Sequence, residues 1–366
     1  MRIYIDNARI VTKDALLKDS GILIDGSKIA SIGIPKGKEK SLLTIDARGC
    51  FVSPGFINAH VHGSPGAVFS NEAKFGTTAI VSTISCAKKD RIFETVDEVK
   101  KFIKKDSLGP NVLGIRLEGP YINKVRAGAQ DKSCIRRPDR RELLEIIKDV
   151  GSLLKIVTIA PELEGAIPLI RLLADRNIIA SIGHSDATYE EALKGFDAGV
   201  THATHIFNAM RDIDRRDPGA SLAALLDERI TVEVIADTVH VHEALLKLLL
   251  KVKNGDNVIL ITDSVRANPP VGAKKGQKVY RLKNGRLAGS NITMIDALKA
   301  AIKAGKLSLA GAVKCVSLNP ARLLGLEKTK GSIEAGKDAD LVIFDDDFDV
   351  KATLISGRII YRKKGF

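Results

Sequence analysis

The chain has 366 residues, 45% of them hydrophobic and 28% charged, a length that suits one large α/β barrel with an appendage or two domains. No apolar run approaches the roughly 18 residues of a membrane span, and the N-terminal MRIYIDNARIVTKDALL carries acids where a secretory peptide needs a long apolar stretch. A cytoplasmic protein with no membrane association is therefore expected. The 57 Lys and Arg against 44 Asp and Glu leave a formal charge of +13, but the basic residues are scattered and no RRM, KH or helix-turn-helix signature accompanies them. No nucleic-acid partner is expected; an anionic small substrate or a lysine-rich solvated surface fits the excess.

The first fifty residues read as short strands with tight turns: RIYIDNARIV, GILIDGSKIASIG and LLTIDARG, punctuated by Asp-Asn, Asp-Gly and Gly. From there the pattern changes to apolar strand, loop and amphipathic helix in alternation. The candidate strands are FVSPGFINAHVH, TTAIVSTI, NVLGIRLEG, KIVTIAPE, NIIASIGHS, VTHATHIFN, ITVEVIADTVH and NVILITDS. Between several of them lie RELLEIIKDVG, AIPLIRLLADR, TYEEALKGFDAG and HEALLKLLLKVKNG, with apolar residues at i, i+3 and i+4. The C-terminal ADLVIFDDDFDVKATLISGRIIYR returns to alternating strands. These patterns predict an α/β protein: a (β/α)8 TIM-like barrel over residues 51–330, and a small β-sandwich domain built from both chain termini, residues 1–50 and 331–366. Cys50, Cys86, Cys134 and Cys315 are far apart and form no C-x-x-C pair, so they read as reduced thiols rather than a zinc knuckle or a disulfide framework.

Of the seven histidines, four fall near the C-terminal ends of these strands: His60 and His62 in FINAHVHG, His184 in SIGHSD and His205 in THATHIFN. Residues i and i+2 of a strand face the same side, so His60 and His62 aim at one point in the barrel mouth. Glu118 closes NVLGIRLEG and Asp263 closes NVILITDS. Three or four imidazoles with a carboxylate suit a divalent first-row metal, Zn²⁺ or Fe²⁺, and a second carboxylate beside them is free for proton transfer. His202 is three residues from His205 and faces the other side of a regular strand, so it is expected to be structural. His240 follows VEVIAD at a strand end and is a candidate site residue, whereas His242 directly precedes a helix and is expected at its start.

With these residues assembled, the chain resembles the amidohydrolase superfamily, and within it the deacetylases of amino-sugar phosphates. The resemblance covers nearly the whole length. It rests on VSPGFINAHVHG, LEGPYIN, IGHSDAT, THIFNAM, the Arg216-Asp217-Pro218-Gly219 turn, IADTVHVH, ITDS, LAGSNITM, NPARLLGL and GSIEAGKDADLVIFD. It implies hydrolysis of N-acetyl-D-glucosamine 6-phosphate to D-glucosamine 6-phosphate and acetate. It further implies that Glu118, His184 and His205 hold the main catalytic metal and that Asp263 acts as general base, then acid. His60 and His62 match positions that bind a second metal with Glu118 bridging, which makes one or two ions per chain. Asn208, the Ala209 N–H and His240 are implied to contact substrate, and Arg216 to reach the neighbouring active site of a homodimer. Where relatives commonly carry Gly-Ala-His, this chain has Gly128-Ala129-Gln130. Gln130 can donate a hydrogen bond to a sugar or acyl oxygen but neither carries charge nor transfers a proton.

Dihydroorotase-like, deaminase-like and dipeptidase-like hydrolases of the superfamily are the rival enzymes. They usually use a carboxylated lysine or other strand-end residues, whereas Glu118 stands in the bridging place here. An inactive amidohydrolase-like scaffold is the rival outside catalysis, and such proteins typically lose ligands that this chain retains.

Overall fold

A computed structural model of the chain describes residues 1–33, 43–63, 65–105, 109–266, 269, 277–305 and 307–366. Among them, eight parallel strands pair in sequence order: β1 (Phe56–His62), β2 (Thr77–Ser85), β3 (Asn111–Glu118), β4 (Leu154–Ile159), β5 (Ile179–Ile182), β6 (Val200–Ala203), β7 (Thr231–Ile235) and β8 (Val258–Ile261). The sheet closes on itself just beyond β8. There the Asp263 N–H donates to the His60 carbonyl at 3.0 Å, the His62 N–H donates to the Ser264 carbonyl at 2.9 Å, and Asn58 Nδ2 donates to Thr262 Oγ1 at 2.8 Å. Strands buried on both faces explain the near-continuous apolar runs of the sequence.

The helices that cover the barrel follow the expected periodicity. In Arg140–Val150 the buried residues are Leu143, Ile146 and Val150, and Asp139 caps the first turn by accepting from the N–H groups of Arg141 and Glu142. Tyr189–Ala198 opens with a capping box, Thr188 accepting from the Glu191 N–H while the Glu191 side chain accepts from the Thr188 N–H. His242 caps Glu243–Val252 by accepting from the Ala244 N–H through Nδ1.

The chain termini build a second, eight-stranded sheet. Its order is Arg358–Arg362, Val350–Ile355, Leu341–Phe344, Phe51–Pro54, Arg2–Val11, Leu16–Asp25 and Lys28–Ile32, with Leu43–Asp46 also pairing to Arg2–Val11. Ile3, Ile5, Ile10, Ile22, Ile24, Val52, Leu341 and Ile343 form its core. The fold is thus a TIM-like barrel with a small β-unit from both termini. The expected first strand FVSPGFINAHVH is two strands, and Phe51–Pro54 belongs to the terminal sheet. Pro54 offers no N–H to prolong a ladder, and a Cβ on Gly55 would come within 2.2 Å of Thr78 Oγ1, so the chain changes sheet at this pair.

Candidate active site

Every candidate metal ligand lies at the C-terminal rim of the barrel, where the active sites of this architecture collect. His60 and His62 are on the last turns of β1, and Glu118 is the final residue of β3. His184, His205 and Asp263 come two residues after β5, β6 and β8 end, each with positive φ (47°, 29° and 47°). Left-handed backbone is costly for such residues and is held by its surroundings, as is common where side chains must be aimed at a reacting centre. Just before His184 stands Gly183, where a Cβ would come within 2.7 Å of Thr204 Cβ, so the close approach of β5 to β6 requires a glycine.

These turns bring two triads together: His60, His62 and Asp263, and Glu118, His184 and His205. Glu118 Oε1 lies 3.1 Å from His184 Nε2, 2.9 Å from His205 Nε2 and 3.5 Å from His60 Nε2, while Oε2 lies 3.3 Å from His62 Nε2. Asp263 Oδ1 is 3.3 Å from His60 Nε2 and 3.0 Å from His62 Nε2. The carboxylate of Glu118 therefore stands between the two triads.

The outer nitrogens explain how the rings are turned. His60 Nδ1 lies 3.0 Å from Glu233 Oε2, His62 Nδ1 3.0 Å from Ser85 Oγ, and His184 Nδ1 2.9 Å from the Arg126 carbonyl. A carbonyl can only accept, so His184 donates through Nδ1 and, when neutral, presents a lone pair at Nε2. His205 Nε2 is 3.2 Å from His184 Nε2, and His62 Nε2 is 3.2 Å from His60 Nε2. Inward-facing Nε2 atoms at such spacing, among carboxylate oxygens and with little solvent, suit a shared cation. This donor set of nitrogen and oxygen fits a divalent first-row metal. His205 Nδ1 is buried without a hydrogen-bond partner among the described residues.

The charges inside this pocket are strongly perturbed. Burial opposes a charged His62, but hydrogen bonds to Asp263 and Glu118 outweigh it and push its pKa up to about 10. Burial also opposes ionised Asp263, and the neighbouring His60 charge with the His62 hydrogen bond brings it down to about 2. Glu118 is held well below the usual carboxylate range; burial works against this, and the His60 charge and the bonds from His184 and His205 prevail. Without an ion, the charges of His60 and His62 offset the two carboxylates.

A cavity of about 520 Å³ opens onto His62, Glu118, His184, His205 and Asp263 and is also lined by Gln130, Asn208, Ala209 and His240. Gln130 bridges two walls, accepting from the Cys86 N–H at 2.8 Å and donating to Glu118 Oε2 at 2.5 Å. His240 Nδ1 sits 2.6 Å from Asp237 Oδ2, and Asp237 Oδ1 accepts from the N–H groups of Val239 and His240. That bond leaves His240 Nε2 for the cavity. The hairpin of Val279–Arg281 and Leu287–Ser290 adds Leu287, Ala288 and Gly289 to the wall. Arg216 lies elsewhere, exposed on the turn that follows this region, and does not line the cavity of its own chain. His202 stays beneath the triads, with Nδ1 2.7 Å from Thr231 Oγ1 and Nε2 2.8 Å from Glu233 Oε1.

Arg116, Glu233, Asp237 and the hairpin escape the reading of the sequence. A usable signal exists for two of them: Arg116 is two residues before Glu118, and Glu233 two before the end of β7, so both share the inward face of otherwise apolar strands.

The barrel, its rim histidines and the bridging carboxylate define a hydrolase class: the chain belongs to the amidohydrolase family, whose model matches residues 51–360. Within that family it stands among the N-acetylglucosamine-6-phosphate deacetylases. It is 34% identical to the N-acetylglucosamine-6-phosphate deacetylase of Bacillus subtilis, over 99% of this chain and 98% of the relative. The N-acetylgalactosamine-6-phosphate deacetylase of Escherichia coli O157:H7 is 31% identical over 96% of this chain and 97% of its own. The crystal structure of N-acetylglucosamine-6-phosphate deacetylase from Pasteurella multocida superposes with a TM-score of 0.91 at 27% identity, covering 99% of this chain and 100% of that one.

Proposed function

We propose that this chain hydrolyses N-acetyl-D-glucosamine 6-phosphate to D-glucosamine 6-phosphate and acetate, in amino-sugar catabolism and cell-wall sugar recycling. The observation that carries the reading is a single cavity in which His62, Glu118, His184, His205 and Asp263 adjoin Asn208, Ala209 and His240. Glu118, His184 and His205 would hold one divalent ion, zinc or iron, and His60 and His62 a second. A bound ion supplies an acidified water and an electrophilic pull on the acetamide carbonyl.

The remaining work belongs to the side chains. Asp263, ionised at rest, accepts the proton of the attacking water and returns it to the departing amine. Asn208, the Ala209 N–H and His240 face the phosphate end. Arg216 completes the phosphate contacts from a second copy of the chain in a homodimer, where a guanidinium fork matches phosphate oxygens. Gln130, held between Cys86 and Glu118, donates its remaining amide hydrogen to a sugar or acyl oxygen. The galactosamine epimer is a second reading, favoured by the 31% identity to the Escherichia coli relative.

Acetate release from the two 6-phosphorylated epimers and from unphosphorylated N-acetylglucosamine, with metal content measured on the same preparation, tests the whole assignment. A charge-assisted contact is worth about 1.5–3 kcal/mol, so each such contact to the 6-phosphate should raise kcat/KM by about 10- to 150-fold. Equal turnover of the unphosphorylated sugar would remove the phosphate contacts, and metal-loaded protein that releases no acetate would remove the reaction.

A further inference from the structure

We propose that Glu233 is the positioning residue that makes His60 a metal ligand, by holding the proton of its imidazole on Nδ1 and turning the Nε2 lone pair into the pocket. The inference rests on the metal-site reading above and concerns one half of that site. Glu233 lies within β7, and its side chain is wholly buried, as are those of His60 and Arg116. Oε2 faces His60 Nδ1 at 3.0 Å; Oε1 forms an ion pair with the Arg116 guanidinium and sits 2.8 Å from His202 Nε2. Arg116 is fixed in turn by Thr204 Oγ1 at 3.0 Å, Thr158 Oγ1 at 3.3 Å and the Ala59 carbonyl at 3.3 Å.

The direction of the His60 hydrogen bond follows from this company. Arginine is permanently charged and has no acceptor, so it keeps the facing carboxylate an acceptor. Arg116 and Glu233 are both wholly buried, and a guanidinium held there against Glu233 Oε1 is compensated by an ionised carboxylate. An ionised carboxylate can only accept, so His60 donates through Nδ1. A neutral imidazole that donates through Nδ1 has its lone pair on Nε2, and that atom lies 3.3 Å from Asp263 Oδ1 and 3.5 Å from Glu118 Oε1. Carboxylate-to-histidine-to-metal arrays of this kind set both the tautomer and the basicity of a ligand.

The other half of the site has different supports. His184 is oriented by the Arg126 carbonyl, and His205 meets the Glu233 side chain only through its backbone N–H, at 3.4 Å. Glu233 therefore acts selectively on the triad of His60, His62 and Asp263. The substitution Glu233→Gln exposes that selectivity. Arg116 still demands an acceptor, so the amide oxygen faces Arg116 and the NH₂ faces His60. His60 Nδ1 must then accept, its proton moves to Nε2, and the ligand lone pair is lost.

The test uses the full chain stripped of metal and titrated with Zn²⁺ alone, with ¹⁵N-histidine NMR of the metal-free protein followed upward in pH until His60 has lost its second ring proton, so that the tautomer of the neutral ring is read. The wild type is expected to carry the His60 proton on Nδ1 and to take up two equivalents of Zn²⁺ per chain. Glu233→Gln is expected to move that proton to Nε2, keep one equivalent at wild-type affinity and weaken the other by about 10- to 100-fold. The retained equivalent shows that the variant is folded. A wild type with the proton on Nε2, or one that saturates at a single equivalent, overturns the proposal even if the variant fails to fold. So does a variant that binds both equivalents normally, or weakens both in parallel. Absence of Zn²⁺ from both triads would instead strike the metal-site reading, which the tautomer measurement does not depend on.

Discussion

Asp263 stands 3.0 Å from His62 Nε2 and 3.3 Å from His60 Nε2, and its backbone N–H closes the barrel on the His60 carbonyl. One residue thus joins the end of β8 to β1 and places a carboxylate over the pocket. Asp263→Asn keeps the shape and removes the proton acceptor, so kcat should fall by about 10²- to 10⁴-fold, the span attributed to general acid–base catalysis. Metal content, measured beside kcat, should stay at the wild-type level, and near-normal turnover with intact metal would refute the role. At this scale much was legible in the sequence, because histidine is rare here and each ligand follows an apolar run that ends abruptly. Arg116 and Glu233 were harder to read for a physical reason. A charge inside an apolar strand points either into the barrel or out toward a helix, and the spacing of two residues from a strand end is the one local sign of which.

Among the elements, the helices were the easier to read, because a 3.6-residue period such as Leu143, Ile146 and Val150 marks one buried face. Strand ends were harder. NIIASIGHS and VTHATHIFN run apolar through His184 and His205, yet β5 stops at Ile182 and β6 at Ala203, because the chain turns left-handed to aim the side chains inward. Lys253 shows how an element end can carry a measurable charge effect. It closes the helix Glu243–Val252, is 8% exposed, and donates from Nζ to the carbonyls of Asp227 at 2.6 Å and Ile230 at 2.9 Å. Burial lowers its pKa from 10.5 to about 8, against the pull of Asp227 and Glu228. Between those two values the unfolded chain binds more protons than the folded one, so this residue makes stability rise with pH across the window. Below about pH 8 both states are protonated and the penalty for burying the charge is constant. Urea unfolding from pH 7.5 to 10.5 should therefore show a rise in the wild type that Lys253→Met loses, and identical pH profiles for the two would refute it.

The whole molecule is joined through a core that belongs to both sheets. Phe344, fully buried in the terminal sheet, lies 6.4 Å from the Phe56 ring, 5.5 Å from Phe51 and 5.7 Å from Phe348, measured between centroids. Val342 and Val350 enter the same apolar cluster as the barrel strands, and Thr353 Oγ1 donates to the Ala73 carbonyl beside β2 at 2.7 Å. The terminal sheet therefore buttresses the start of β1, the strand whose far end presents His60 and His62. Neither terminal segment announces this partnership locally. The pairing of Phe51–Pro54 with Leu341–Phe344 spans nearly the whole chain, and the alternation of each strand says only that one of its faces is buried. Truncating Phe344 to alanine leaves a cavity shared by both units, at a cost of about 3–5 kcal/mol. If the two units are one cooperative body, that loss should lower a single unfolding transition, with far-UV signal and acetate release disappearing together on heating. A variant that loses the terminal sheet first, while the barrel keeps its metal and its turnover, would show that the barrel folds without its buttress.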